Sequence, residues 1–390
     1  MNQGKYVFSQ IVSFLSARVF DRCVLAFNGD KWIKHFTCWN QLLCMMFGQI
    51  SSRDSLRDLL VCINAHKPKH YHLGFGKNIS RSNLAEANEK RECKIFEMFA
   101  YEMIAEAQKT LSPGSELDLP VTGNVYALDS TTVDLCLNVF WWATYKRAAG
   151  AVKLHALIDV RTAIPVFVHI TAASVHDVNG LDQIIYETGG YYVMDRGYID
   201  FKRLSVIDQH DAFFVIRARN NLQFKRLSSQ KADKSKGVIC DQQINLKSFY
   251  PMHAYQKPLR RVKFYDVEQN RTFVFLSNNL TLLPEEIAML YKYRWKIELF
   301  FKWIKQHLKV KSFWGTSVNA VKTQIYIAII SYVLVLIIKA KLKLKQSAYE
   351  ILQIMSVSLL DKTSIKTLFE NPNYQDVKEQ NHIQLKINLI

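Results

Sequence analysis

The sequence predicts an α/β protein: a mixed-sheet catalytic-type core with a β-rich insertion, preceded by an all-α N-terminal domain. Three changes of pattern predict it. Apolar residues recur at helical spacing through residues 1–110. Short buried runs, two of them ending in an acid, then replace that spacing. Helical spacing returns at Pro284.

Taken in order, Tyr6 to Phe20, Trp39 to Phe47, Ser55 to Ile63 and Cys93 to Ala107 have helical spacing. Ser51-Ser52-Arg53-Asp54 and Ser80-Arg81-Ser82-Asn83 look like N-caps. The looser stretch His66 to Lys77, rich in Lys, His and Gly, gives this region a helix-turn-helix layout, and DNA-end binding is expected of residues 1–110. Residues 111–123 collect Pro, Gly and Ser and form a linker. The core occupies 124–340. Val125 to Leu128 is a strand ending in Asp129; Lys153 to Asp159 and Ile164 to Ile170 form a hairpin about Arg161-Thr162. Asp177 to Glu187 reads as a helix ended by Gly189-Gly190. Tyr191 to Met194 is a buried strand ending in Asp195, Ile199 to Gln209 a helix and Ala212 to Ile216 a strand. From about 217 to 279 helices are expected to be absent. Gln223 to Lys236 reads as a basic mobile loop, and Leu259 to Asp266 with Arg271 to Ser277 as a second hairpin. Residues 341–390 are a helical region with a polar tail after Asn371, a candidate dimerisation element.

The chain has 390 residues, 49% of them hydrophobic, so it can bury a sizeable core. Lys and Arg number 51 against 34 Asp and Glu, a formal charge of +17. A globular chain this basic suits a polyanionic partner. Its seven cysteines, Cys23, Cys38, Cys44, Cys62, Cys93, Cys136 and Cys240, include no C-x-x-C pair, which fits free thiols in a reducing compartment. The opening MNQGKYVFSQIVSF lacks the layout of a signal peptide. Ile325 to Ile338 is apolar but shorter than the roughly 20 residues that span a bilayer, so a buried core helix and an intracellular protein without a membrane partner are expected.

Asp129 and Asp195 share a setting: each leaves the end of a buried strand, the edge at which α/β sheets bind ligands. Either alone could simply cap the following turn. Together they could share Mg²⁺ or Mn²⁺. Tyr291 to Lys305 reads as one long helix. At about 100° per residue, Tyr291, Arg294, Glu298 and Lys305 fall within a stripe about 60° wide, and Ile297, Phe300, Phe301, Ile304 and Leu308 form the core face. Glu298 is the only acid between Tyr291 and Val310, among Lys292, Lys296, Lys302 and Lys309. A solvated i,i+4 pair with Arg294 explains little of that; a phosphate-binding helix presenting one metal ligand explains it. Asp129 bridging two ions, with Asp195 and Glu298 each completing one, fits two-metal phosphoryl transfer. Trp295 and Trp303 point away from the stripe and are expected to pack. His155 and His176 suit structural or outer-sphere roles.

Tyr291, Arg294, Glu298 and Lys305 match Y-x2-R-x3-E-x6-K. This resembles the signature of bacterial insertion-sequence transposases of the DDE type, in the insertion-sequence-four family. Leu128-Asp129-Ser130-Thr131 and Val193-Met194-Asp195-Arg196-Gly197-Tyr198 resemble that family's first and second acid motifs. Lys153-Leu-His155, Ser174-Val-His176-Asp177, Trp314-Gly-Thr316 and Gln324 resemble the stretches between and after, so the resemblance covers about residues 120–340. It implies an RNase H-like core and Asp129, Asp195 and Glu298 as catalytic acids on two Mg²⁺ or Mn²⁺ ions. It also implies Tyr291, Arg294, Lys305, Lys302 and Arg196 on DNA, with His155, His176 and Asp177 as outer-sphere groups. Double-stranded DNA, both terminal inverted repeats and target, would be bound by a homodimer at the nucleoid of a bacterial cytoplasm. Gly197-Tyr198 departs from relatives that carry an acid there. A catalytically inactive DNA-binding relative and a stand-alone nuclease of the same fold are the alternatives. A glycosidase also uses paired carboxylates but has no need of the basic stripe.

Overall fold

The computed structural model describes residues 4–76, 79–111, 119–135, 140, 142, 144–146, 149–308 and 313–370. Among the described residues seven helices come first: α1 (Val7–Val12), α2 (Ala17–Ala26), α3 (Cys38–Ile50), α4 (Leu56–Ala65), the single turn α5 (His70–Leu73), α6 (Arg81–Lys90) and α7 (Lys94–Thr110). The helix expected from Tyr6 to Phe20 is divided. The Ser13 hydroxyl turns back on the Gln10 carbonyl, and Ser16 opens α2 by accepting the Val19 amide, the competition Ser offers to a helical backbone. Thr37 and Asn40 close a capping box on α3. Ser55, rather than Ser51 to Asp54, caps α4, and Ser80 caps α6 as expected. The basic stretch after α4 contains α5, so an extra turn separates the two helices.

The sheet holds ten strands among the described residues: β1 (Val125–Leu135), β2 (Thr144–Lys146), β3 (Ala149–Asp159), β4 (Pro165–Ala172), β5 (Tyr191–Met194), β6 (Phe213–Arg217), β7 (Phe224–Gln230), β8 (Val238–Leu246), β9 (Leu259–Asp266) and β10 (Arg271–Ser277). β4 and β1 each run antiparallel to β3, which lies between them; β5 lies parallel to β1, and β6 parallel to β5. The order β4-β3-β1-β5-β6 is that of an RNase H-like core. β10, β9, β8 and β7 then extend the same sheet by antiparallel pairing.

Three expectations need correction here. The segment read as a basic loop contains β7, which pairs only with β8 and is exposed over nearly its whole length. With no buried face it has no apolar alternation to read. The insertion also holds one short helix, α8 being Phe201–Gln209 and α9 being Phe249–Ala254. Asp177–Gln183 is a 3₁₀ segment, not the start of a helix reaching Glu187.

Four further helices complete the part that surrounds the sheet: α10 (Pro284–Lys292), α11 (Trp295–His307), α12 (Val318–Lys341) and α13 (Ala348–Ser358), with the short α14 (Ile365–Phe369) last. One face of β1, through Val125, Ala127, Val133 and Leu135, joins a hydrophobic cluster that runs from α1 to α14. The other face, through Tyr126 and Leu128, packs in a second cluster with α8 and the roots of the insertion. At the centre of the larger cluster is α12. By length and composition it could cross a membrane, but 94% of its apolar stretch is buried within the protein, against α3, α6, α7, α11 and α13. It is the buried core helix expected from Ile325 to Ile338, extended at both ends. Cys23, Cys38, Cys44 and Cys93 are buried free thiols, and burial pushes Cys38 up to about 12, which leaves it unreactive. Cys136 and the tail after Asn371 lie outside the described residues.

Gly48 lets α3 meet the segment before α12. A Cβ there would fall 2.4 Å from Cη2 of the buried Trp314 indole. Gly48→Ala is therefore expected to destabilise the protein by about 1–3 kcal/mol through overpacking, despite the better helix propensity of Ala. Urea unfolding checks it; a stabilised variant would show that the indole has room to move.

Candidate active site

Asp129 and Asp195 lie side by side. The parallel pairing of β1 with β5 ends at Leu128 opposite Met194, and each acid is the next residue. Here the reading of β1 is adjusted: the strand continues past Asp129 to Leu135, held by β3 alone. The acids therefore stand where two parallel strands part, at the carboxyl edge of the sheet. The Asp129 carboxylate accepts the Ser130 amide at 2.8 Å, and Asp195 accepts the Arg196 amide as it caps the 3₁₀ turn Arg196–Tyr198.

Glu298 arrives from the other side, on the first turn of α11, which packs over β1 and β3. The expected single helix from Tyr291 to Lys305 is broken. α10 stops at Lys292, Tyr293 and Arg294 keep helical dihedrals with tighter hydrogen bonds, and α11 begins at Trp295. The break puts Arg294 at the junction. Its guanidinium donates to Asp129 at 3.1 Å with one arm and to Glu298 with the other. Arg294 is also 5.8 Å from the centroid of the Tyr291 ring, which rests on Phe275. So Arg294 joins Glu298 to Asp129 and stands beside Tyr291, at a corner rather than along a straight stripe.

Burial pushes the Asp129 carboxyl up to about 6. The Ser130 amide and Arg294 oppose this, while Glu298 and Asp195 add to it. Three carboxylates against one guanidinium leave an excess of negative charge in a half-buried corner, a donor set that fits hard divalent cations. Among the described residues no three ligating side chains yet converge at coordination distance. Arg294 lies between two of them instead, so a cation bound to both Asp129 and Glu298 must displace or share that bridge.

The other expected residues divide. Lys305 donates to the Thr132 carbonyl at 2.8 Å, farther along β1, and Lys302 and Arg196 are exposed. Asp177 accepts the Ser130 hydroxyl at 2.6 Å and pairs with Lys153 at 2.7 Å. Burial pushes Asp177 up, but the hydrogen bonds from Lys153 and Ser130 hold it below the usual carboxylate range. Asp177 thus braces the residue after Asp129 from the opposite face of the sheet. His155 and His176 do not reach the acids. His155 sits opposite Ser130 on the far face, bonds Thr171 at 3.0 Å and is pushed down to about 4 by burial, so it is neutral. His176 is exposed. Trp303 packs on Tyr332 as expected, but Trp295 is 58% exposed, because it opens α11 at the break instead of continuing a covered face.

Sequence reading missed Arg219, Asn220 and Asn221. They form a turn after β6 and line a groove that also holds Asp195, Arg196 and Gly197. A polar turn directly after a buried strand was the available signal.

Residues 121–334 match the family model described as the transposase DDE domain, and residues 3–76 match a domain of unknown function, DUF4372. A protein of Sinorhizobium fredii named as the transposase y4zB is 32% identical over 256 residues, covering 64% of this chain and 69% of the relative. A probable transposase for insertion sequence element IS5377 of Geobacillus stearothermophilus is 30% identical over 53% of this chain and 54% of its own length. A protein of Synechocystis named as the transposase for insertion sequence element IS4SA is 28% identical over 66% and 72%. Among solved structures, the piggyBac transposase synaptic complex with hairpin DNA aligns at a TM-score of 0.46 and 11% identity, over 94% of this chain and 82% of that one.

Proposed function

The chain belongs to the transposase DDE domain family, and we propose that it cuts DNA at the ends of an insertion sequence and joins the freed 3′-hydroxyl to target DNA. The observation that carries this is the corner itself: Asp129 and Asp195 one step beyond the last paired residues of two parallel strands, with Glu298 tied to Asp129 through Arg294.

In this reading Asp129, Asp195 and Glu298 are the residues that would hold two Mg²⁺ or Mn²⁺ ions. Bound there, the ions would activate the attacking hydroxyl and stabilise the leaving oxygen. The protein supplies position and charge. Arg294 turns from its carboxylates toward the phosphate, as a planar fork suited to it. Tyr291, Lys305, Lys302 and Arg196 hold flanking phosphates, and the Lys153–Asp177–Ser130 chain keeps the strand carrying Asp129 in register. The helical region at 1–110 grips the element's terminal inverted repeat, and two copies pair the two ends. The insertion-sequence-four signature and a place at the bacterial nucleoid belong to the same proposal.

The test is a labelled duplex carrying the end of the element that encodes the chain. With Mg²⁺ or Mn²⁺ the protein is expected to nick it and to join a pre-nicked end to a second duplex, and EDTA is expected to stop both. Nicking without joining would favour a stand-alone nuclease. Binding without nicking under either metal would favour an inactive DNA-binding relative.

A further inference from the structure

The groove beside Asp195 is built from the two strand ends that follow β5 and β6. It has a volume of about 500 Å³ and is lined by Asp195, Arg196, Gly197, Arg219, Asn220 and Asn221. That size is in the range of small-ligand sites. Asp195 is the only acid in that lining, which otherwise holds two arginines, two asparagines and a glycine.

The wall is held firmly. Ala218 is buried and its amide donates to the Val274 carbonyl at 2.8 Å. The Leu222 amide closes a turn onto the Arg219 carbonyl, which places Asn220 and Asn221 at the two central positions. Leu222 anchors the turn in the second hydrophobic cluster, and the Lys247 amide ties Gln223 to the end of β8. Arg219 itself reaches the Ile199 carbonyl at 3.4 Å. The turn is thus fixed on both flanks, while its two carboxamides stay exposed and have no side-chain partner among the described residues. Asn is common in turns for its backbone alone. Turn chemistry does not account for two arginines lining the same groove, next to an acid proposed to hold metal. Gly197 leaves the wall open, with no atom beyond its own chain neighbours within 4 Å of where a Cβ would stand.

We propose that this groove seats the nucleotide adjoining the scissile phosphate, with Arg196 and Arg219 on its phosphate and Asn220 and Asn221 on its base edge. The inference rests on the transposase reading and adds a sequence-reading element to it. Guanidinium groups suit phosphate oxygens. A carboxamide offers the donor and acceptor pair that matches adenine N7 and N6, so an adenine preference at that position is the expected form of the readout.

The experiment uses the full chain and four end duplexes that differ only in the base pair adjoining the cleaved bond. Wild type is expected to prefer one of them by about fivefold or more, the range of one good side-chain contact to a base. The Asn220→Ala, Asn221→Ala double variant is expected to flatten that preference. Arg219→Ala is expected to weaken binding to all four alike and to lower the slope of log affinity against log salt by about one, and Arg219→Lys is expected to restore the slope. Because the slope is read from binding, it is measurable even if nothing is cut. Failure of wild type to nick any duplex counts against the transposase reading alone. An unchanged base preference in the double variant, or an unchanged salt slope in Arg219→Ala, overturns the groove assignment. Thermal unfolding of each variant separates these outcomes from misfolding.

Discussion

A Glu298→Gln variant is expected to bind end DNA much as wild type does and to cut it on the order of 10³-fold more slowly. Gln keeps the volume of Glu and a carbonyl oxygen that can still accept from Arg294, so the corner between α10 and α11 should stand. What it removes is the negative charge that, in the proposed two-metal reading, a divalent cation would need from that side of the site. The comparison therefore isolates charge from shape. Single-turnover nicking in Mn²⁺, alongside a binding titration and a melting curve, reads all three quantities. A rate within tenfold of wild type, with unchanged binding, would mean that Glu298 serves only to hold Arg294 in place.

Arg260→Ala is expected to cost about 3–5 kcal/mol of stability, because it leaves a carboxylate buried and unpaired. Arg260 and Asp241 are each only 3% exposed and meet through two hydrogen bonds, at 2.9 and 2.8 Å, from β9 to β8. The same guanidinium also donates to the Leu282 carbonyl, just before α10. The pair thus ties the insertion to the entrance of the helix that leads to Arg294. A double variant, Arg260→Met with Asp241→Leu, is expected to recover much of the loss, since no charge is then stranded. Urea unfolding with a common slope distinguishes the cases. A loss below about 1 kcal/mol in Arg260→Ala would show that water reaches Asp241.

How much of this was legible in the sequence depended on whether an element has one buried face. β3 with β4, and β9 with β10, were readable because their apolar runs are bounded by turn residues. β7 was not, since pairing with β8 holds it and no side-chain pattern marks it. The site followed the same rule. Asp129 and Asp195 stood out because each closes a buried run, and Glu298 because it is alone among cations. The break at Tyr293–Arg294 was invisible, because both residues keep helical dihedrals and the apolar spacing runs through them. The contact between Asp177 and Ser130 joins residues 47 positions apart, with β2, β3 and β4 between them, which periodicity cannot report. Arg219, Asn220 and Asn221 lie in a turn, where residue identity serves local geometry and function alike.

The central place of α12 has a consequence for the order of synthesis. Helices α3, α6 and α7 complete their apolar surfaces against a helix that leaves the ribosome roughly 200 to 300 residues later. At about 5–20 residues per second, that is an interval of roughly 10–60 s in which the first part of the chain has its helices but not its centre. During that interval its exposed surface is the kind that chaperones hold and proteases find. The N-terminal part is thus made first but finished late, and each new molecule is soundly folded only once nearly all of it has been translated.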